Sequence, residues 1–213
     1  MRVAVVIYPF IEPIDLAVVG TLSMAKRVTD KLSYFTVSEH GGEVELQNGL
    51  RVQTDFSFAD APTSDAIVVT GGPGWRNEID NPAMHAWLKQ RHASGALISS
   101  VCTGAMILGA AGLLDGKRAT TKAPVASPEE CPITTMGRLY SATNATEALV
   151  VDEGDIVTGG GVTLGIDTTL YLLERYLGPD VSNETARIME YSAALRANQG
   201  RLPTLTIDSA VNQ

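Results

Sequence analysis

Ala96-Leu97-Ile98-Ser99-Ser100-Val101-Cys102-Thr103-Gly104-Ala105 is the most informative stretch of this sequence. An apolar run passes into small residues and then, with no charge in between, into Met106-Ile107-Leu108-Gly109. Residues 96–100 read as a strand covered on both faces, and the residues beyond Thr103 read as a helix. Residues 96–114 carry no charge and approach the length of a membrane span. Ser99, Ser100, Cys102, Thr103, Gly104, Gly109 and Gly112 make them too small and too polar for a lipid-facing helix. A buried strand turning directly into a buried helix, with a cysteine at the turn, accounts for all of it.

To either side, residues 3–7 and 66–70 repeat the buried-strand pattern, and each run breaks into a turn and then a helical stretch. After residues 66–70 come Gly71, Gly72, Pro73 and Gly74, then residues 82–92, where Met84, Trp87 and Leu88 recur at helical spacing. Residues 156–158 lead in the same way through Gly159, Gly160 and Gly161 into an amphipathic helix over 163–177. This alternation predicts a doubly wound α/β fold with a mostly parallel sheet. Asn48 and Gly49, between residues 44–46 and 51–52, predict an antiparallel hairpin. Residues 118–121 suggest a short strand, and 137–151 are weakly patterned. A last helix over 183–196 and a polar tail to Gln213 complete the reading. Without a repeat or linker, the chain reads as one domain over 1–195 followed by a tail over 196–213.

Composition narrows the function. A chain of 213 residues, 45% hydrophobic and 19% charged, has enough apolar surface to fold without a disulfide or metal staple. A net charge of −8 with no run of Lys or Arg argues against nucleic acid as a partner. Cys102 and Cys131, the two cysteines, fit a reducing compartment. Glu12 and Asp15 cut the opening apolar run short of a signal-peptide core. A cytoplasmic protein without a membrane segment is expected.

A cysteine at a strand-to-helix turn projects above the sheet on a strained backbone, and the helix N-terminus behind it lowers the thiol pKa. The alternative is an inert core cysteine. Cys131, beside Pro132, has no such context. Loops at the carboxyl ends of parallel strands face one crevice, which brings Gly71-Gly72-Pro73-Gly74 toward Cys102. There the N–H groups of Gly72 and Thr103 would form an oxyanion hole. A phosphate cradle lacks both a Gly-Lys-Ser/Thr ending and G-x-G-x-x-G spacing, and a tight turn without chemistry remains the plain alternative. Asp15, beyond the first strand, would reach the same crevice as general acid and base, with Glu12 competing for the role and a helix cap as the alternative. The Gly159–Gly161 turn, with Thr163 and Asp167, lines that crevice or simply starts a helix. His85 and His92 read as a solvated helix flank and His40 as a loop residue. No metal-ligand spacing occurs, so neither metal nor cofactor is expected.

The strand before Asp15-Leu16, Val68-Val69-Thr70-Gly71-Gly72-Pro73-Gly74, Ser100-Val101-Cys102-Thr103-Gly104-Ala105, Ala111-Gly112-Leu113-Leu114-Asp115-Gly116, Ala119-Thr120-Thr121, and Thr158-Gly159-Gly160-Gly161-Val162-Thr163-Leu164-Gly165-Ile166-Asp167 together resemble the DJ-1/PfpI superfamily over about residues 1–195. Its members have the class I glutamine-amidotransferase-like, flavodoxin-like fold. Gly159-Gly160-Gly161-Val162-Thr163, Gly165-Ile166-Asp167 and Glu190-Tyr191 look most like the isonitrile hydratases. That resemblance implies a cysteine-dependent hydro-lyase without cofactor or metal, which hydrates a small isonitrile to an N-substituted formamide. It makes Cys102 the nucleophile, Asp15 its acid/base partner, and Gly71, Gly72 and Thr103 neighbours of the reacting group, in a homodimer.

The departures are local. Val18, Val19 and Thr21 stand where the family often has Gly-Pro and then Glu, which argues against the glyoxalase-like and PfpI-like branches. Lys122-Ala123 replaces the family's His-Trp, and Lys122 reads either as a surface lysine or as a charge in the pocket. Two rival functions stay open: a cysteine amidase or peptidase, which needs His40, His85 or His92 to reach Cys102, and a non-catalytic ligand or redox sensor. The sensor would be related to the amidotransferase-like domain of AraC-type regulators. Those regulators append a helix-turn-helix domain for which 213 residues leave no room.

Overall fold

Runs of β-branched and aliphatic residues form strands only when both faces of the sheet are covered, and here the runs are covered: Val3, Ala4, Val5 and Val6 are fully buried. A computed structural model describes residues 1–207. From the N-terminus, β1 (Arg2–Val6) leads through a 3-10 turn (Pro13–Leu16) into α1 (Ala17–Ala25) and β2 (Ser33–Ser38). A hairpin of β3 (Gly42–Glu45) and β4 (Arg51–Thr54) follows, then β5 (Phe56–Ser57), β6 (Ala66–Val69), α2 (Trp75–Glu78) and α3 (Pro82–Ala93). The central unit is β7 (Leu97–Ser100) and α4 (Gly104–Ala110), followed by β8 (Arg118–Ala119), α5 (Pro132–Leu139) and β9 (Asn144–Ala145). The chain continues through β10 (Val150–Asp152), β11 (Ile156–Gly159), α6 (Leu164–Leu177), α7 (Pro179–Ile188), α8 (Ser192–Arg201) and β12 (Thr204–Thr206).

Eight strands form the main sheet in the order β12-β10-β11-β7-β6-β1-β2-β5, and β10 against β11 is its one antiparallel pairing. The helices pack in two groups, α1 with α6 and α7, and α2 through α5 around α4, as two layers over a sheet require. The chain runs outward from β1 through β2 on one side and through β6, β7 and β11 on the other. Strand order therefore reverses at β1, and the carboxyl ends of β1, β6, β7 and β11 share one crevice. Local chemistry agrees with this layout. Asn81 caps α3 by accepting from the N–H groups of Ala83 and Met84 at 3.0 and 3.1 Å, with Pro82 opening the helix. The hairpin turns through Asn48 and Gly49, both at positive φ, as that dipeptide favours.

The flavodoxin-like, single-domain expectation is met, and the uncharged stretch 96–114 is buried strand and helix. Among the described residues, no helix is long and apolar enough to cross a membrane. Two expectations at the C-terminal end need correction. The single helix expected over 183–196 is two, α7 and α8, parted at Glu190, whose φ is 56°; Tyr191 N–H closes the turn on Ala186 O at 2.9 Å. The segment expected to be a polar tail continues α8 to Arg201 and then supplies β12, which pairs with β10 beside the Arg118 guanidinium. The rest of the expected tail, 208–213, lies outside the described residues.

Candidate active site

Cys102 sits at the turn between β7 and α4 with φ 52°, left-handed backbone that a non-glycine residue adopts only where its surroundings force it. Val101 N–H donates to Val69 O at 3.0 Å and Cys102 N–H to Gly160 O at 3.1 Å, so the end of β6 and the loop after β11 clamp the turn from both sides. Thr121 Oγ1 adds a third clamp by donating to Cys102 O at 2.7 Å. Small residues are required for this approach. A Cβ on Gly71 would lie 2.8 Å from Cys102 Cβ and press on Thr103 N, and one on Gly161 would lie 2.9 Å from Cys102 Sγ.

Asp15 meets the thiol from the β1 side. It is 1% exposed, in the 3-10 turn, and Gly71 N–H donates to its Oδ2 at 2.6 Å. The Cys102 thiol lies against the same carboxyl. Oδ1 is buried without a hydrogen-bond partner, an arrangement that costs free energy and suits an atom awaiting a proton or a ligand. Burial pushes the Asp15 pKa up from 3.8 to about 7, against the pull of the Gly71 N–H and with help from Glu12; the thiol and Lys122 pull it down. Glu12 is half-buried and acts on Asp15 through its charge.

The lowered pKa expected of the Cys102 thiol is reversed in sign. Burial is the main cause of a raised pKa and the Asp15 carboxylate the next; Thr103 N–H and Lys122 oppose them without prevailing. Helix α4 is one short stretch, and its dipole does not offset a sulfur that is 3% exposed. The pair therefore holds a protonated thiol beside a carboxyl that titrates near neutrality.

Thr103 N–H faces the Cys102 sulfur. Gly72 departs from the expected role, because its N–H is occupied, donating to Thr103 Oγ1 at 2.8 Å. It fixes the threonine and does not face the sulfur. Asp167 also departs: it turns away to accept from Tyr191 Oη at 2.7 Å and Asn198 Nδ2, tying α6 to α8. Each histidine is engaged elsewhere. His40 is beside Glu39 on a cavity of about 450 Å³ that Tyr8 also lines, His85 contacts Glu78 O, and His92 pairs with Asp155, which precedes β11 at the opposite end of the strands. Cys131 donates to Ala123 O at the start of α5. Among the described residues no cluster of His, Cys, Asp and Glu is suited to a metal ion.

Sequence reasoning missed Tyr8 and Thr121 as parts of the site. Tyr8 Oη donates to Thr70 O at 2.8 Å, and burial, then the nearby Asp15 and Cys102 charges, hold its phenol pKa well above the usual value. Its position directly after β1 was the available signal.

Residues 1–175 match the model of the DJ-1/PfpI family. The chain is 30% identical to the isonitrile hydratase of Pseudomonas putida over 213 residues, which span 99% of this chain and 88% of that one. It is 28% identical to the HTH-type transcriptional regulator CdhR of Pseudomonas aeruginosa over 78% of this chain, but spans only 48% of the regulator. Among solved structures, a DJ-1 superfamily protein from Salmonella typhimurium superposes with a TM-score of 0.75 at 26% identity, covering 89% of this chain and 98% of that one. Motif order, elbow geometry and the match of whole lengths agree, and the chain belongs to the DJ-1/PfpI family.

Proposed function

We propose that this protein is a cysteine-dependent hydratase of small isonitriles. The observation that carries the reading is the buried Cys102–Asp15 pair, with Asp15 Oδ1 left without a hydrogen-bond partner; the similarity to an isonitrile hydratase over nearly the whole chain supports it. Asp15 as carboxylate takes the thiol proton while Sγ attacks the terminal isonitrile carbon, and the same carboxyl returns the proton to that carbon, leaving a thioimidate on Cys102. Water then adds across the C=N bond, its oxygen to carbon and one proton, relayed by Asp15, to nitrogen. Collapse passes the remaining hydroxyl proton to Asp15 and releases the N-substituted formamide, and the thiolate recovers its proton from Asp15. Thr103 N–H stabilises negative charge at sulfur in both halves. Neither metal nor cofactor takes part in this scheme. The reading includes a cytoplasmic location, carried by the two free cysteines, and a homodimer, carried by the family resemblance.

A second reading, a stand-alone ligand or redox sensor, draws on the similarity to regulators such as CdhR. A peptidase is less well supported, since each histidine is engaged away from Cys102. The deciding experiment is formamide production from cyclohexyl isocyanide by the wild type, Cys102→Ala and Asp15→Asn. Turnover lost in both variants is the expected result. Turnover that persists in Cys102→Ala overturns the mechanism. No turnover in the wild type, with Cys102 oxidised by peroxide, favours the sensor.

A further inference from the structure

Lys122 occupies a place unlike that of a surface lysine. Thr121, clamped to Cys102 O, holds the Lys122 backbone against the elbow, and Ile133 N–H fixes Lys122 O from the other side at 3.2 Å. A Cβ on Gly161 would lie 2.9 Å from both Cys102 Sγ and Lys122 Cβ, so the bare glycine is all that separates the lysine stem from the sulfur. The Lys122 side chain is only 18% exposed, an uncommon degree of burial for lysine. Its charge bears on both Cys102 and Asp15. Yet its ion-pair partner belongs to neither. Nζ donates to Glu129 Oε2 at 3.1 Å, and Glu129, at 37% exposure, lies in the turn leading into α5, outside the reacting pair.

A half-buried ammonium needs a partner, and the one it has is a single contact to a carboxylate that water can solvate. A ligand carrying its own carboxylate within a few bonds of the carbon that meets Cys102 can replace Glu129 at no loss of ion pairing, whereas a neutral ligand gains nothing from the lysine. We propose that Lys122 is a specificity-determining residue that selects small substrates bearing an anionic group, a carboxylate, within a few bonds of the atom attacked by Cys102. The inference rests on Cys102 being the nucleophile of the proposed function, and it narrows the substrate class to isocyano carboxylates.

The test uses two alkylating agents of similar size and opposite character, iodoacetate and iodoacetamide. Their rates at Cys102, resolved from Cys131 by peptide mass spectrometry, form a ratio from which the thiolate fraction cancels, so a mere change of thiol pKa does not move it. The wild-type ratio at Cys102 should exceed that of free glutathione. Lys122→Met should lower it about tenfold, Lys122→Arg should preserve it, and Glu129→Gln should raise it, as expected for unit charges a few ångströms apart in a half-buried site. An unchanged ratio in Lys122→Met and Glu129→Gln overturns the proposal and leaves the lysine a structural ion pair. If neither reagent labels Cys102 while Cys131 reacts, the nucleophile reading fails and this inference with it. If the ratios shift as expected but neither isocyanoacetate nor its methyl ester is hydrated, anion selection stands and the hydratase reading falls.

Discussion

Replacing Asp15 by Asn should stabilise the protein, and increasingly so as pH rises from 4 to 7. In the folded chain the carboxyl titrates at about 7, against 3.8 for an ordinary aspartate, because it is buried beside Glu12 and one of its oxygens has no partner. Between those two values the unfolded chain has released the proton and the folded chain still holds it, so folding takes up a proton and wild-type stability falls as pH rises. The gap of about three pH units, at roughly 1.4 kcal/mol each, amounts to about 4 kcal/mol at and above neutrality. The amide of Asp15→Asn has no proton to lose, and its oxygen can still accept from Gly71 N–H. Glu78 and Asp167, also raised by burial, contribute equally to both proteins and cancel in the difference. Urea titrations of both proteins from pH 4 to pH 8 give that difference directly. It should be small at pH 4, grow by roughly 1.4 kcal/mol per pH unit, and level off above pH 7. A difference that stays flat across the range would refute the claim that Asp15 is held against its own ionisation.

Four further outcomes follow from the same geometry. Gly161→Ala should leave the protein folded but cut kcat/KM by about 100-fold, because the new methyl presses on Cys102 Sγ; circular dichroism and formamide production read the two effects. Thr103→Val should lower stability by about 1–3 kcal/mol in urea, since it leaves the buried Gly72 N–H unpaired, and Thr103→Ser should restore it. Cys102→Gly should be inactive yet more stable than Cys102→Ala by about 1 kcal/mol, as glycine accepts a φ of 52° without strain. In the wild type kcat/KM should rise through about pH 7 as Asp15 becomes a base, and that limb should vanish from any residual activity of Asp15→Asn.

What could be read from sequence was whatever local chemistry dictates. Residues 3–7, 66–70 and 96–100 are uncharged and mostly apolar, which suits them to the middle of a covered sheet, and they became β1, β6 and β7. Strand order then follows from handed crossovers, and with it the meeting of Asp15, Gly71 and Cys102 at one edge. Interactions that depend on a side chain's direction were not legible. Nothing in Gly71-Gly72 says that the Gly72 N–H meets the Thr103 hydroxyl, or that Thr121, remote in sequence from Cys102, holds its carbonyl. The break between α7 and α8 escaped because Glu190 gives no breaker signal; its left-handed turn is imposed by packing. The sign of the thiol pKa was misread for a related reason. A helix terminus can be seen in a sequence, whereas the depth at which it lies cannot.

That corrected sign bears on the chemistry. Adding a thiol across one isonitrile carbon requires sulfur and proton together, on the same atom. A permanently ionised thiolate, stabilised by a strong dipole, brings the sulfur and leaves the proton to be found elsewhere. Cys102, raised by burial, keeps its proton until a base takes it, and Asp15, raised to about 7, is a base weak enough to give that proton back. Both shifts have one cause, the removal of water from the crevice where β1, β6 and β7 end. Lys122 moderates both in the opposite direction, so its replacement by Met should push the thiol and the carboxyl higher together. On the reading proposed here, the protein gives up stability at neutral pH to keep one proton available between the Cys102 thiol and the Asp15 carboxyl.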